Sequence, residues 1–156
     1  MPYMRQYSLS DGMLARAMVP GDTPAKVVSV ASLATVGAGA ITAAMIVGGL
    51  IVRTAAGADR ADTLCTAPLL VNALIGSNGQ APEVGEAFEC LFSMQSTSTY
   101  ISTITTATGM TLKSNVNTIG PDITKRLLFI CTSKGTNTLA SGVWTNALAT
   151  FDVWVL

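Results

Sequence analysis

Five carboxylates in the middle of the chain have spacings that acid–base or metal chemistry would require. Asp59 and Asp62 flank an arginine, and Glu83, Glu86 and Glu89 follow at intervals of three residues. The aspartate pair lacks the dense oxygen ligands of a calcium loop, so we predict a solvated polar turn over residues 55–62. The glutamates lie in and beside a strand-like segment, where such side chains mark the face in contact with water. Neither set predicts a catalytic pair or a metal site.

Three cysteines are the other candidates for reactive groups. Cys65, Cys90 and Cys131 are odd in number and lack CxxC spacing, so they predict neither a disulfide framework nor a zinc site. Cys65 stands near the start of a predicted helix, where a thiol can have a lowered pKa. The chain contains no histidine, which removes the usual activating partner of a cysteine nucleophile. We expect reduced, buried thiols in a protein made in a cytoplasm.

The glycine pairs do not predict a nucleotide site. Gly37 and Gly39, and likewise Gly48 and Gly49, are not followed by the Lys-Ser/Thr of a phosphate-binding loop. The sequence therefore offers no catalytic, cofactor-binding or metal-binding constellation. We expect a protein that is not an enzyme and that uses no cofactor or metal.

The composition is typical of a protein that is covered by partners. Charged residues make up 12% of the 156 residues, apolar residues 49%, and the mean hydropathy is +0.49. A soluble monomer usually carries charge on about a quarter of its residues. We therefore expect either that much of the surface is buried against other proteins, or that part of the chain enters a membrane.

The charges are balanced, with nine basic and nine acidic residues. This balance does not predict a nucleic-acid partner. Lys125 and Arg126 are predicted to be charges at a strand edge. The functional alternative is an intersubunit salt bridge to Asp122 or Asp152, which would contribute about 1 kcal/mol at most if exposed.

Residues 84–94 organise the predicted fold. Phe88, Cys90, Phe92 and Met94 alternate with smaller or polar residues, which predicts a central strand with one buried face. Just upstream, residues 66–75 have a helical period.

Other segments extend the prediction to a mainly β domain. The helix of residues 66–75 is expected to stop at Gly76. Strand-like runs follow at residues 100–106, 110–112, 125–132 and 148–156, with a loop predicted over residues 135–142. The separating Gly, Asn, Pro and Thr residues are typical of a β-sandwich or barrel.

Residues 27–52 carry no charge, so their length alone would allow a membrane span. Four serine or threonine residues, four glycines and the absence of aromatic residues at either end favour two strands and a small linker instead. A membrane-inserted protein remains the alternative for this segment.

Residues 1–26 contain three prolines around a short predicted helix, with no evident signal peptide. Two interpretations stay open: a loosely packed arm, or an arm that reaches a neighbouring subunit. In the second case Tyr3, Met4, Tyr7 and Leu14 would be interface residues.

Three further aromatic residues are interface candidates. Trp144 and Trp154 either anchor an interface, where tryptophan is enriched, or fill the core. Tyr100 lies on a threonine-rich strand whose face suits partial exposure or pairing with another chain. A competing hypothesis makes Tyr100 and Trp144 the stacking platform of a small carbohydrate-binding module.

An ordered set of short segments runs from residue 42 onward. The set begins with TAAMIVGGLIVRT (residues 42–54) and DTLCTAPLLVNAL (residues 62–74). It continues with VGE (84–86), TTATGMTL (105–112) and TKRLLF (124–129). By the order of its motifs, this set resembles a recurring domain of virion proteins of bacteriophages and other double-stranded DNA viruses.

The resemblance implies a capsid decoration or cement protein, commonly oligomeric, that binds and stabilises a shell. The partners would be itself, as a homotrimer by preference, and the major capsid protein. The implied place is the virion surface, after synthesis in the host cytoplasm, with a tail, vertex or fibre-base component as the alternative. We therefore expect an antiparallel β-sandwich or jelly-roll-like module over residues 42–156, one or two short helices, and an extended N-terminal arm over residues 1–41.

Overall fold

A computed structural model describes residues 29–54, 58–95, 99–140 and 143–156. At residues 78, 137–140 and 143–146 it describes the backbone alone. The helices are α1 (Ala43–Gly48) and α2 (Ala67–Asn78). The strands are β1 (Ser29–Leu33), β2 (Ala40–Ile41), β3 (Gly49–Thr54), β4 (Arg60–Leu64), β5 (Ala87–Gln95), β6 (Ser102–Thr105), β7 (Met110–Leu112), β8 (Thr118–Ile119), β9 (Thr124–Ser133), β10 (Thr136–Ala140), β11 (Val143–Ala147) and β12 (Thr150–Val155).

The strands form two larger sheets and one hairpin. The large sheet has the order β1-β3-β5-β9-β12-β7, the small sheet has the order β2-β4-β6-β8, and β10 pairs with β11. From β1 to β6 the chain alternates between the two sheets, with α1 and α2 in the connections. The prediction of a mainly β fold with one or two short helices is confirmed.

The expectation of an antiparallel fold is only partly right. β5, β9 and β12 pair antiparallel, as do β6 with β8 and β10 with β11. Five pairs are parallel: β1–β3, β3–β5, β12–β7, β2–β4 and β4–β6. For the four pairs among β1 to β6 the reason is the alternation between sheets, because each return to a sheet lays the next strand in the same direction as the last. An apolar alternation shows which face of a strand is buried and does not show its partner.

The core lies on one side of the large sheet. On β5, the residues Cys90, Phe92 and Met94 are buried and Phe88 is partly buried, which confirms the predicted inner face. The ring of Phe88 stacks on Phe129 of β9 at 5.1 Å between centroids. Buried side chains of α1, α2 and the small sheet complete this core, among them Ile46, Leu70, Val71, Leu64, Ile104 and Ile119.

Helix α2 is longer than the sequence predicts. It passes through Gly76, where the expected stop is wrong, and ends at Gly79, whose φ of +78° is the left-handed conformation typical of a glycine cap. Gly76 lies exposed, with nothing within 4 Å of the site of a Cβ atom. A helix interior tolerates such a glycine at a cost of about 1 kcal/mol relative to alanine.

Two predicted loops are strands. Residues 60–64 form β4, where the sequence predicts part of a polar turn, and residues 136–140 form β10 of the hairpin, where it predicts a loop. Residues 29–41, which the sequence assigns to the arm, contribute β1 and β2 to the two sheets. The interpretations of residues 1–28, including the predicted helix over 9–18, lie outside the described residues. Among the described residues, no helix has the length and apolar character needed to cross a bilayer.

Replacement of two glycines with alanine is expected to change the free energy of unfolding in opposite directions. Gly109 has φ +82°, and a Cβ there would lie 2.5 Å from the carbonyl oxygen of Ala149 and 2.6 Å from the Cβ of Ala67. Gly109→Ala is therefore expected to lower the free energy of unfolding. The left-handed conformation alone costs roughly 1–2 kcal/mol for a residue with a Cβ atom, and the steric overlap adds to this loss. Gly76→Ala is expected to raise the free energy of unfolding by about 0.5–1 kcal/mol. Urea unfolding of both variants tests this pair, and an unchanged midpoint for Gly109→Ala would contradict the packing at that turn.

Candidate functional site

The large sheet has a second face that points away from the core. Because side chains alternate along a strand, the neighbours of the buried residues on each strand point to this outer face. It carries Val52, Ile130 and six further large apolar side chains that we call the apolar band: Val30, Leu50, Leu91, Leu128, Trp154 and Leu156. Val30, Leu91 and Leu156 are 63%, 42% and 45% exposed, and the other three members of the band are partly buried.

Strand register brings the band together. Val30 is opposite Leu50, and Leu50 is opposite Leu91. Leu91 is opposite Arg126, whose backbone exchanges two hydrogen bonds with Leu156 at 3.0 and 2.9 Å. One row of side chains therefore crosses five strands. A second row places Leu128 opposite Trp154.

Hydroxyl side chains border the band on both sides. At one end Ser93 lies opposite Thr124, and the Thr124 hydroxyl donates to the Ser93 hydroxyl at 2.9 Å. At the other end the hydroxyls of Thr132 and Thr150 are 2.8 Å apart. An apolar centre with a polar rim is the usual anatomy of a protein–protein interface.

The charges of the outer face are paired within the chain. Arg126 Nε lies 3.5 Å from the carboxylate of Glu89, and Lys113 Nζ lies 3.4 Å from that of Asp152. The four groups give the face no net charge, and exposed pairs of this kind contribute about 0–1 kcal/mol each. Arg126 and Asp152 thus each have an ion-pair partner within the chain, which would compete with the intersubunit salt bridge considered from the sequence.

A cluster of buried polar side chains lies between the two sheets. Arg53 of β3 and Asp62 of β4 are fully buried, with Arg53 Nε donating to Asp62 Oδ2 at 3.0 Å. The Ser102 hydroxyl donates to the same oxygen at 2.6 Å, and the Gly39 amide donates to Asp62 Oδ1 at 2.7 Å. This arrangement corrects the prediction that Asp62 belongs to a solvated turn. Asp59 does remain exposed, and it accepts from the Ile101 amide.

The remaining donors of Arg53 hold the connection between β1 and β2. Its Nη1 donates to the carbonyls of Leu33, Thr35 and Thr54, and its Nη2 donates to that of Gly37 at 2.7 Å. Because the guanidinium and the carboxylate are both occupied by protein groups, the cluster joins the sheets and leaves no atom to receive a substrate. Its role is structural.

Cys65 and Cys131 form no disulfide and are poor nucleophiles. Burial raises the pKa of the Cys65 thiol to about 11, with a smaller opposing effect of a backbone hydrogen bond. Burial also raises the pKa of Cys131, with Glu86 acting in the same direction. The reactive thiolate is therefore scarce near neutral pH, which is contrary to a lowered pKa at Cys65. The described ranges also contain no group of three or more Cys, Asp or Glu residues placed to hold a metal ion.

One cleft of about 290 Å³ lies between the end of α2 and the start of β5. Its walls include Leu74, Pro82 and Phe88, and its polar lining residues are Gln80 and Glu86. Glu86 already accepts a hydrogen bond from the Glu83 amide at 2.8 Å, and Glu83 pairs with Lys134 at 2.8 Å. The cleft therefore combines apolar walls with two polar residues, of which Glu86 already has a hydrogen-bond partner within the chain.

Comparison with known protein families, curated proteins and solved structures finds no match to this chain.

The interface residues predicted from sequence fall in three places. Trp154 lies on the outer face of β12, partly buried, opposite Leu128. Tyr100 packs, partly buried, against the core, and Trp144 lies on β11 in register with Leu139. Tyr3, Met4, Tyr7 and Leu14 lie outside the described residues.

Sequence reasoning did not single out the aliphatic members of the band. The signal was present, because Leu91 in β5 and Leu128 in β9 interrupt the expected polar face of strands whose other face is apolar. The strands that align the band are not consecutive in the chain, and their pairs are partly parallel and partly antiparallel, so the sequence does not specify the register.

Proposed function

We propose that this chain is a viral structural protein, a capsid decoration protein of the β-sandwich class that binds subunits of a protein shell through the outer face of its large sheet. The observation that carries the proposal is the apolar band in a hydroxyl rim. The ordered motifs that resemble virion proteins favour a viral shell as the partner. A tail, vertex or fibre-base position would use the same face.

The size of the face is adequate for this role. Six strands at about 4.8 Å and six residues at about 3.3 Å give a face roughly 24 Å wide and 20 Å tall. Standard interfaces bury about 800 Å² per partner, so this face would supply more than half of one. Burial of a few hundred Å² of apolar surface contributes several kcal/mol at about 25 cal/mol per Å², before association costs. Repetition over a shell adds avidity to each modest contact.

The charges support a protein partner over a nucleic acid. The outer face has equal numbers of acidic and basic groups, and the whole chain has no net charge. A nucleic-acid surface instead collects lysine and arginine without balancing acids.

The proposal is tested by the protein content of particles. Density-gradient particles from the source culture, analysed by quantitative mass spectrometry, are expected to contain this chain in many copies. The copy number separates a shell position from a vertex or tail position, which would give a dozen or fewer. Recovery of the chain only from fractions without particles would overturn the proposal.

A further inference from the structure

Among the described strands, β1 is an edge of the large sheet without the usual protective features. In the part of the chain that the structure describes, its five residues pair with β3 on one side only. The strand contains no charged residue and no proline, and its register with β3 is unbroken. Natural proteins protect exposed edges with charges, prolines, bulges or very short strands, because an open edge recruits another strand. β1 has none of these features.

The other described edges of the two larger sheets are protected. β7, at the far edge of the large sheet, has three residues and is followed by Lys113, which pairs with Asp152. The edges of the small sheet, β2 and β8, have two residues each. Among the described edges of these two sheets, β1 alone lacks such protection and is therefore the one suited to a partner strand.

We propose that β1 pairs antiparallel with β1 of a second copy of this chain, across a two-fold axis perpendicular to the large sheet. The two six-stranded sheets then form one continuous sheet. This inference goes beyond the proposed function, because it requires no shell and leaves the outer face exposed except at the β1 edge.

The directions of the strands favour pairing of β1 with β1 of a second copy, and not with β7 at the far edge of that copy. β1 and β7 run in the same direction, as the sequence of parallel and antiparallel pairs requires. A head-to-tail contact would therefore pair β1 in parallel with the three-residue β7, beside Lys113. Self-pairing matches five residues with five, closes after two copies, and brings together two uncharged strands.

The apolar band leads to this edge. Val30 is its outermost member, 63% exposed, and the row continues inward through Leu50 and Leu91. A perpendicular two-fold axis keeps the outer face of both copies on the same side. The two bands therefore meet at the junction, where Val30 loses exposed surface against the outer face of the second copy.

The two-fold axis also restricts the register of the proposed β1–β1 pair. Opposite residues of an antiparallel pair share a face, so a residue that points outward must lie opposite one that points outward. Under two-fold symmetry this is satisfied only when one residue of β1 lies directly opposite its own copy. Directly opposed Cβ atoms are about 4.5–5.5 Å apart, close to the separation that a disulfide spans after a small adjustment.

The first test is the molar mass of the full chain by light scattering. We expect twice the chain mass of 16.1 kDa for the wild type, and the single-chain mass for Val30→Lys/Ser32→Lys, whose lysines protect the edge. Thr111→Lys on the far edge is the matched control and should remain a dimer. A monomeric or trimeric wild type, or a dimeric lysine variant, would overturn the proposal. The molar mass thus also distinguishes the proposed dimer from the trimer that the virion resemblance implies.

The second test keeps the proposal falsifiable if the lysine variant does not fold. Single variants Ser29→Cys, Val30→Cys, Ala31→Cys and Ser32→Cys are oxidised, with Thr111→Cys as control. The native thiols compete little, because Cys90 and Cys131 are buried and the pKa of Cys65 is about 11. At least one β1 position should give a covalent dimer several-fold faster than the control. Equal rates at every position would overturn the pairing, whatever the outcome of the particle analysis.

Discussion

Replacement of Asp62 with alanine is expected to lower the free energy of unfolding by about 3–5 kcal/mol. The substitution removes the carboxylate that accepts hydrogen bonds from Arg53, Ser102 and the Gly39 amide. Arg53 would then be a fully buried cation without its anion, and desolvation makes that state costly. The β1–β2 connection, which the Arg53 guanidinium holds through three of its carbonyls, loosens with it.

Urea unfolding measured by circular dichroism tests this prediction against two controls. Asp59→Ala removes an exposed carboxylate three residues away and is expected to cost less than about 1 kcal/mol. Ser102→Ala removes one donor to the Asp62 carboxylate and is expected to fall between the two, at about 1.5–3 kcal/mol. Equal losses for Asp62→Ala and Asp59→Ala would show that the buried pair does not join the sheets.

The second large effect concerns binding. Leu91→Lys places a cation at the centre of the apolar band, opposite Arg126, and we expect affinity for shells stripped of the protein to fall at least a hundredfold. Burial of a charge without a partner costs several kcal/mol, and a hundredfold corresponds to about 2.7 kcal/mol. Stability should change little, because Leu91 is 42% exposed in the single chain.

The matched control is Leu69→Lys. Leu69 is 56% exposed on α2 and is not part of the outer face. The two variants carry the same added charge, so a difference between them in co-sedimentation with stripped shells reports position. Similar binding by both would count against the band as the contact surface.

The sequence was sufficient to predict the faces of the longest strands. The alternation in β5 placed Phe92 and Met94 in the core, because burial of one face leaves a period of two that is visible in a single chain. The length of α2 was missed by three residues, since Gly76 inside a helix and Gly79 at its end differ only in context.

Pairing and the buried ion pair could not be predicted. Arg53 and Asp62 stand nine residues apart on strands of different sheets, and their contact depends on the alternation of the chain between those sheets. From sequence, an aspartate beside an arginine and a second aspartate is typical of a solvated turn. Tertiary structure reversed that expectation by supplying three donors to one carboxylate.

The most direct test of the central claim is hydroxyl-radical footprinting of the chain, free and bound to particles, with oxidation measured residue by residue. If the outer face binds shell subunits, Leu91, Trp154 and Leu156 become protected on binding while Leu69 on α2 stays as reactive as before. Protection of Leu69 with unchanged oxidation of the band would contradict the account.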